Sequence, residues 1–373
     1  MTANSRLDTG SITMLDSSKS GLGILICGHG SRAKAAGEEF KQLVDKLSVR
    51  FSDLPVRYGF LEYAAPNIHM ALDSLLETGA KRIVAIPGML FPATHTRNDI
   101  PSVLTTFKEK HPEVSVEYGV PLGLQEDMIR AFEMRILEAI GHTSKPKPGA
   151  LYDTLLVVVG RGTSVPEANG QVAQLARIVC EHLGFGWSQT VYSGMTFPSV
   201  GRGLELVSNL GFKKIVVAPY LLFGGRLIER IKGYVEKVAS ENPDIQYLIA
   251  DYLRDQDHVI DACCTRINEC IMGPEPQLKP MEDFQQRLAR GEVEVHHHHA
   301  EYQPEGRTPN AHSHTHTHSH APYTHIGHPL GPRTMVKENI CCCFMRQLPQ
   351  WVLDEEQHKP ERPGVPLCTR PKR

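Results

Sequence analysis

A chain of 373 residues, 41% of them hydrophobic, is long enough for two domains of ordinary size, each with its own core, plus a tail. A formal net charge of −2 gives no electrostatic reason to expect nucleic acid or an anionic membrane as partner, and no apolar run approaches the length of a bilayer span. Residues 1–20, rich in Ser and Thr, lack the basic start and apolar core of a secretory signal; they read as a disordered N-terminal segment of a cytoplasmic protein.

From there the chain alternates short apolar runs with amphipathic stretches, the pattern of a parallel sheet covered by helices. The first half predicts strands near 23–28, 55–61, 82–87 and 114–119, with helices near 33–50, 67–79, 97–110 and 125–140. Phe40, Leu43, Leu47 and Phe51 recur at helical spacing, and Gly79 falls just past a helix, where a left-handed cap is needed. The run Ile24-Leu25-Ile26-Cys27-Gly28-His29-Gly30-Ser31-Arg32 ends a strand in a glycine-flanked histidine. Its frame returns 132 residues later as Leu156-Val157-Val158-Val159-Gly160-Arg161-Gly162-Thr163. At the same offset Pro66 meets Pro198, Gly79 meets Gly211, Lys81 meets Lys213, and the run Ile83-Val84-Ala85-Ile86-Pro87 meets Ile215-Val216-Val217-Ala218-Pro219. Repetition over so many ungapped positions predicts an α/β fold of two homologous doubly wound parallel-sheet domains, 21–145 and 150–272, with right-handed crossovers and a linker at 145–149. Cys27 and Cys180 fall in core elements and Cys263, Cys264 and Cys270 on the last helix, where reduced thiols pack as small hydrophobes.

In an open α/β sheet, ligands bind outside the carboxyl ends of the strands. His29 follows the first strand, Glu62 closes the second and His95 follows the third; their counterparts are Arg161, Gly194 and Leu227. Taken singly, such a His is a hydrogen-bonded loop residue and Glu62 a solvated strand end. Their joint loss from the second copy, while its frame persists, points to one shared site in the first domain and a degenerate one in the second. Two imidazoles and a carboxylate suit a borderline divalent ion such as Co²⁺, Fe²⁺ or Ni²⁺, and suit proton abstraction near neutral pH. A rival reading exists. Gly28-His29-Gly30-Ser31-Arg32-Ala33 formally fits the dinucleotide fingerprint of an oxidoreductase, with Glu62 as the ribose acid. A dehydrogenase has no use for His95, and the spacing from Ala33 to Glu62 is long.

Beyond residue 273 the composition changes to a flexible tail. Between residues 296 and 328 it carries eleven histidines: His296, His297, His298, His299, His312, His314, His316, His318, His320, His325 and His328. Clustered neutral imidazoles capture divalent transition ions, which also makes a metal-storage or delivery protein an alternative to an enzyme. The consecutive Cys341, Cys342 and Cys343, with Cys368 downstream, are candidates for metal binding or an iron–sulfur cluster, at a spacing that matches no C-x-x-C pattern.

The Gly-His-Gly-Ser-Arg turn, the acid after the second strand, the His after Phe91-Pro92-Ala93-Thr94 and the two-half layout resemble the class II chelatases. More narrowly they resemble the long sirohydrochlorin cobaltochelatases of the CbiX type, over about 20–272, and a histidine-rich extension is a trait of long members. The resemblance implies a lyase-type metal chelatase that inserts Co²⁺ into sirohydrochlorin in cobalamin synthesis, relatives inserting Fe²⁺ or Ni²⁺. It makes His29 and His95 metal-binding and proton-accepting, with Glu62 their acidic partner. Long members can carry an M-x-C-x-x-C cluster motif, which Met335 and the cysteines at 341–343 do not reproduce. A substrate with several carboxylates calls for guanidinium groups, and Arg32, Arg97, Arg161 and Arg226 are the candidates. With no G-x-x-x-x-G-K-[ST] loop in the sequence, ATP is not expected to take part.

Overall fold

The computed structural model describes residues 21–273 together with 289 and 290; the expectations for residues 1–20, the histidine tract and the cysteines at 341–343 lie outside the described residues. The first half runs β1 (Leu22–Gly28), α1 (Lys34–Arg50), β2 (Val56–Phe60), α2 (Ile68–Glu77), β3 (Arg82–Pro87), a π turn (His95–Asp99) leading into α3 (Ile100–Lys110), β4 (Ser115–Tyr118) and α4 (Glu126–Ala139). The second repeats it as β5 (Leu151–Gly160), α5 (Pro166–Leu183), β6 (Phe185–Tyr192), α6 (Val200–Val207), β7 (Lys214–Pro219), α7 (Arg226–Glu241), β8 (Gln246–Ile249) and α8 (Asp257–Met272). The predicted strands and helices all form, with ends shifted by a few residues. The largest change is at the third helix, which the π turn precedes.

Two parallel four-stranded sheets result, ordered β2-β1-β3-β4 and β6-β5-β7-β8. Side chains alternate across them with the two-residue period of a strand. Ile24 and Ile26 join one buried cluster, Leu25 and Cys27 another. The outer faces of the two sheets pack separately, the first against α2 and α3, the second against α6 and α7. The inner faces share one continuous core with α1, α4, α5 and α8. Each fully buried Leu or Ile there contributes roughly 1.5–3 kcal/mol relative to exposure.

Local signals set the helix ends. Asn67 Oδ1 accepts the Met70 N–H at 2.9 Å, the orphan donor of a helix start. Past α2, Gly79 adopts φ +82°; its N–H reaches Leu76 O at 2.8 Å and that of Ala80 reaches Leu75 O at 3.2 Å, the paired bonds of a left-handed cap.

The repeat predicts two sandwiches, each closed by its own helices, but the last helices are exchanged. α4 packs on β7 and α8 on β3. The exchange is locked by reciprocal bonds. Gln125 Nε2 donates to Ala262 O at 3.2 Å and Gln256 Nε2 to Ala131 O at 3.1 Å. Arg135 Nη2 donates to Leu253 O at 3.1 Å and Arg266 Nη2 to Leu122 O at 3.0 Å. Equivalent residues thus swap roles, as in a self-complementary two-fold interface. Arg82 adds a tie from the first sheet, pairing with Glu117 at 2.7 Å and donating to Cys270 O at 3.1 Å at the end of α8. The five cysteines among the described residues are free thiols; burial pushes those of Cys27 and Cys263 up to about 12, which suits packing rather than reactivity. Among the described residues no helix is long and apolar enough to cross a membrane.

Candidate metal centre

In the order β2-β1-β3-β4 the direction of winding reverses between β1 and β3, so the loops leaving those strands diverge and open a crevice at the carboxyl edge. His29 leaves β1 into it. The turn that carries it admits only glycine on both sides. A Cβ on Gly28 would lie 2.8 Å from the Phe60 ring, and one on Gly30, at φ +91°, would lie 1.7 Å from Glu62 O. That close approach brings the β2 loop alongside. Leu61 N–H donates to Gly28 O at 2.8 Å and Glu62 N–H to His29 O at 3.1 Å, which sets the Glu62 carboxylate beside the imidazole.

His95 arrives from the other side of the crevice as the first residue of the π turn. The stretch from Phe91 to His111, where α3 ends, is one residue longer than the equivalent stretch from Phe223 to Asn242. A π turn is how a helix absorbs one inserted residue. The second half has no insertion there and α7 is regular from Arg226.

The three side chains predicted from the sequence converge. His29 Nε2 lies 3.1 Å from His95 Nε2 and 3.4 Å from Glu62 Oε1, and one donor atom from each residue falls within 4.8 Å of the others. The rings meet edge to face, centroids 4.5 Å apart. Their outer nitrogens are both engaged by pure acceptors: His29 Nδ1 donates to Gly30 O at 2.9 Å, and His95 Nδ1 to Asp99 Oδ2 at 2.6 Å. With the protons held there, both Nε2 atoms of the neutral rings present lone pairs to one point, beside a carboxylate. Such an arrangement is electrostatically unfavourable unless a cation, a proton or a metal ion, sits among the donors. Partial burial holds the His29 pKa below its ordinary value; the charge of Arg161 adds to that, and the Gly30 bond and Glu62 oppose it. The lowered pKa favours the neutral imidazole, the form whose lone pair is open to a cation.

Asp99 escaped the sequence reading. Its signal was the four-residue spacing from His95 on one helical face, which the predicted helix start at 97 hid. A carboxylate holding the outer N–H of an imidazole fixes the tautomer and raises ligand basicity.

Around this cluster lies a mostly apolar cavity of about 720 Å³, walled by both halves, within the usual range for small-molecule sites. Arg32, Arg161 and Arg226 line it. Arg97, exposed in the π turn, is not among the residues that line it. Of the four predicted arginines, three surround the site. One other triplet among the described residues, Asp127, His258 and Asp261, also gathers donor atoms. There Asp261 is already paired with Arg50 at 3.1 Å, and Asp127 sits in the first turn of α4, where the helix end favours a carboxylate without any ion.

The CbiX family model matches the chain twice, over residues 23–139 and 155–270. A sirohydrochlorin cobaltochelatase of Priestia megaterium is 32% identical over 230 residues, 61% of this chain and 73% of that protein. A sirohydrochlorin ferrochelatase of the same organism is 30% identical over 235 residues, 63% of this chain and 84% of that protein. Among solved structures, SirB from Bacillus subtilis with Fe³⁺ superposes with a TM-score of 0.60 at 27% identity, covering 69% of this chain and 98% of SirB. The two matched segments coincide with the two halves that the internal repeat delimits, and the chain belongs to the CbiX family of class II chelatases.

Proposed function

We propose that this chain is a sirohydrochlorin chelatase and that cobalt is the ion it inserts, without ATP, as a step towards a cobalt tetrapyrrole. The convergence of two lone-pair-bearing Nε2 atoms 3.1 Å apart beside Glu62 carries the reading. In it the incoming ion is held by His29 and His95, and Glu62 offsets its charge. Insertion releases two pyrrole protons. As the ring nitrogens take over the ion, the freed imidazole lone pairs are positioned to accept those protons. Asp99 keeps the proton of His95 on Nδ1, so that Nε2 remains the working atom. Arg32, Arg161 and Arg226 pair with substrate carboxylates, which makes the second half a substrate wall. The histidine tract, outside the described residues, serves as a capture segment that raises the local ion supply.

Cobalt is favoured over iron by that tract and by the similarity to the cobaltochelatase; nickel ranks last. The similarity to a ferrochelatase supports iron insertion as the second reading. Both are tested by following tetrapyrrole absorbance with purified protein, sirohydrochlorin and Co²⁺, Fe²⁺ or Ni²⁺ in turn, then with His29→Ala and His95→Ala. The proposal expects the fastest insertion with Co²⁺ and a loss on the order of 10²–10⁴-fold in either variant. Insertion at the native rate by both variants would overturn it; faster insertion of Fe²⁺ would leave the chelatase and change its metal.

A further inference from the structure

Among the described residues three other than glycine have positive φ, Tyr63, Met195 and Arg254, and the first two sit at equivalent turns of the two halves. Ala64 N–H donates to Glu62 O at 2.9 Å around Tyr63, whose φ is +64°. Thr196 N–H donates to Gly194 O at 2.8 Å around Met195, whose φ is +59°. A bond from residue i to i+2 closed around a residue of positive φ is the rarer, strained hand of the γ-turn. Glycine adopts that conformation freely, and a bulky residue there is an outlier. The side chains at both apexes are exposed, 56% for Tyr63 and 80% for Met195, and both line the cavity, one from each half. Twice, 132 residues apart, the chain sets a large apolar side chain at a strained apex facing the same space.

A structural explanation is available for the first of them: the turn aims the Glu62 carboxylate. It does not extend to the second. There the residue equivalent to Glu62 is Gly194, with no carboxylate to aim, yet the turn is retained and its apex is still a bulky apolar residue. In the first half the Tyr63 ring is also already oriented, stacked on His29 at 6.3 Å with 26° between planes, and covered by the Arg32 guanidinium 5.0 Å from its centroid.

We propose that Tyr63 and Met195 are a pair of gripping residues that hold the flat faces of the tetrapyrrole macrocycle over the His29–Glu62–His95 cluster. Tyr63 offers a ring for stacking and Met195 a polarisable thioether, both suited to an extended π face. Strain held at a ligand clamp fixes the two side chains in advance, so that little ordering is left to binding. The inference rests on the chelatase reading, since a flat macrocycle is the occupant to which it commits.

The test uses the full chain and sirohydrochlorin without metal, binding being followed by the shift in tetrapyrrole absorbance and by quenching of a tryptophan introduced as Met195→Trp. Tyr63→Gly and Met195→Gly relieve the backbone, so each is expected to raise the melting temperature while weakening tetrapyrrole binding about tenfold. Tyr63→Phe and Met195→Leu are expected to restore native affinity, and the KM for the metal ion is expected to stay unchanged in the Met195 variants, whose turn holds no metal donor. A role in the fold alone would move stability and affinity together. Native affinity in both glycine variants, or no quenching of the introduced tryptophan, would overturn this pairing and leave the chelatase reading intact. Failure of the native protein to bind the tetrapyrrole at all would overturn both.

Discussion

In the first half Gly30 passes beneath the Glu62 carbonyl at φ +91°, and in the second Gly162 passes beneath the Gly194 carbonyl at φ +81°. A Cβ would come within 1.7 Å of the oxygen in one case and 1.8 Å in the other. Phe60 bridges to Asn67 as Tyr192 bridges to Ser199, and both strand-to-helix turns close on themselves in the same way. On this shared backbone the first half mounts His29, Glu62 and His95; the second mounts Arg161, Gly194 and Leu227. The comparison teaches that the turn geometry is a property of the scaffold and the donor set an addition to it. The π turn belongs with the donors, since the second half has neither the extra residue nor the histidine. Arg161 then lines the same cavity as His29, so both copies contribute walls to one space.

The sharpest way to break this comparison is to exchange the residues that distinguish the halves. His29→Arg imposes the second half's residue on the first, and is expected to lower metal insertion on the order of 10²–10⁴-fold. The reverse change, Arg161→His, is expected to create no second metal site, because Gly194 and Leu227 offer no donors; calorimetric titration with Co²⁺ would register one additional ion if it did. Asp99→Ala comes next. Loss of an outer partner to a metal-binding imidazole costs about 10–100-fold in affinity or rate, and Asp99→Asn should recover part of it, because its carbonyl still accepts the His95 N–H. Activity unchanged in Asp99→Ala would remove that carboxylate from the site. The smallest effect sharpens the comparison through stability. Gly30→Ala and Gly162→Ala each force a side chain into a left-handed position at a cost of about 1–3 kcal/mol, on top of the clash with the facing carbonyl. Chemical denaturation should find the two equally destabilised, whereas only Gly30→Ala, which displaces Glu62, should also abolish insertion beyond what the loss of folded protein explains.

Much of this was readable in the sequence because the signals were local or repeated. Strands such as Ile83–Pro87 are short apolar runs bounded by turn residues, and the offset of 132 gave the two halves without any structural input. His29, Glu62 and His95 could be grouped because each follows a parallel strand, and parallel strands deliver their ends to one edge. The exchange of α4 and α8 could not be read, because an amphipathic helix has the same pattern whichever sheet it covers. Asp99 and the π turn were hidden for a related reason: a one-residue insertion leaves hydrophobic periodicity almost unchanged over so short a stretch. Arg97 shows the converse. Its type suited a polyanionic substrate, but it lies exposed in the π turn and is not among the residues that line the cavity. Tyr63 and Met195 gave no sign at all, since nothing in the sequence marks a bulky residue for positive φ.

The central claim is that only the N-terminal copy supplies donors to a metal ion. Crystals of the full chain soaked in Co²⁺, with anomalous diffraction recorded at the cobalt edge, test it most directly. The account predicts a peak between the two halves, about 2.0–2.2 Å from Nε2 of His29, from Nε2 of His95 and from a Glu62 oxygen, distances typical of a divalent transition ion with nitrogen and carboxylate ligands. A peak beside Arg161 and Leu227, or cobalt confined to the histidine tract while His29 and His95 remain in direct contact, would contradict it.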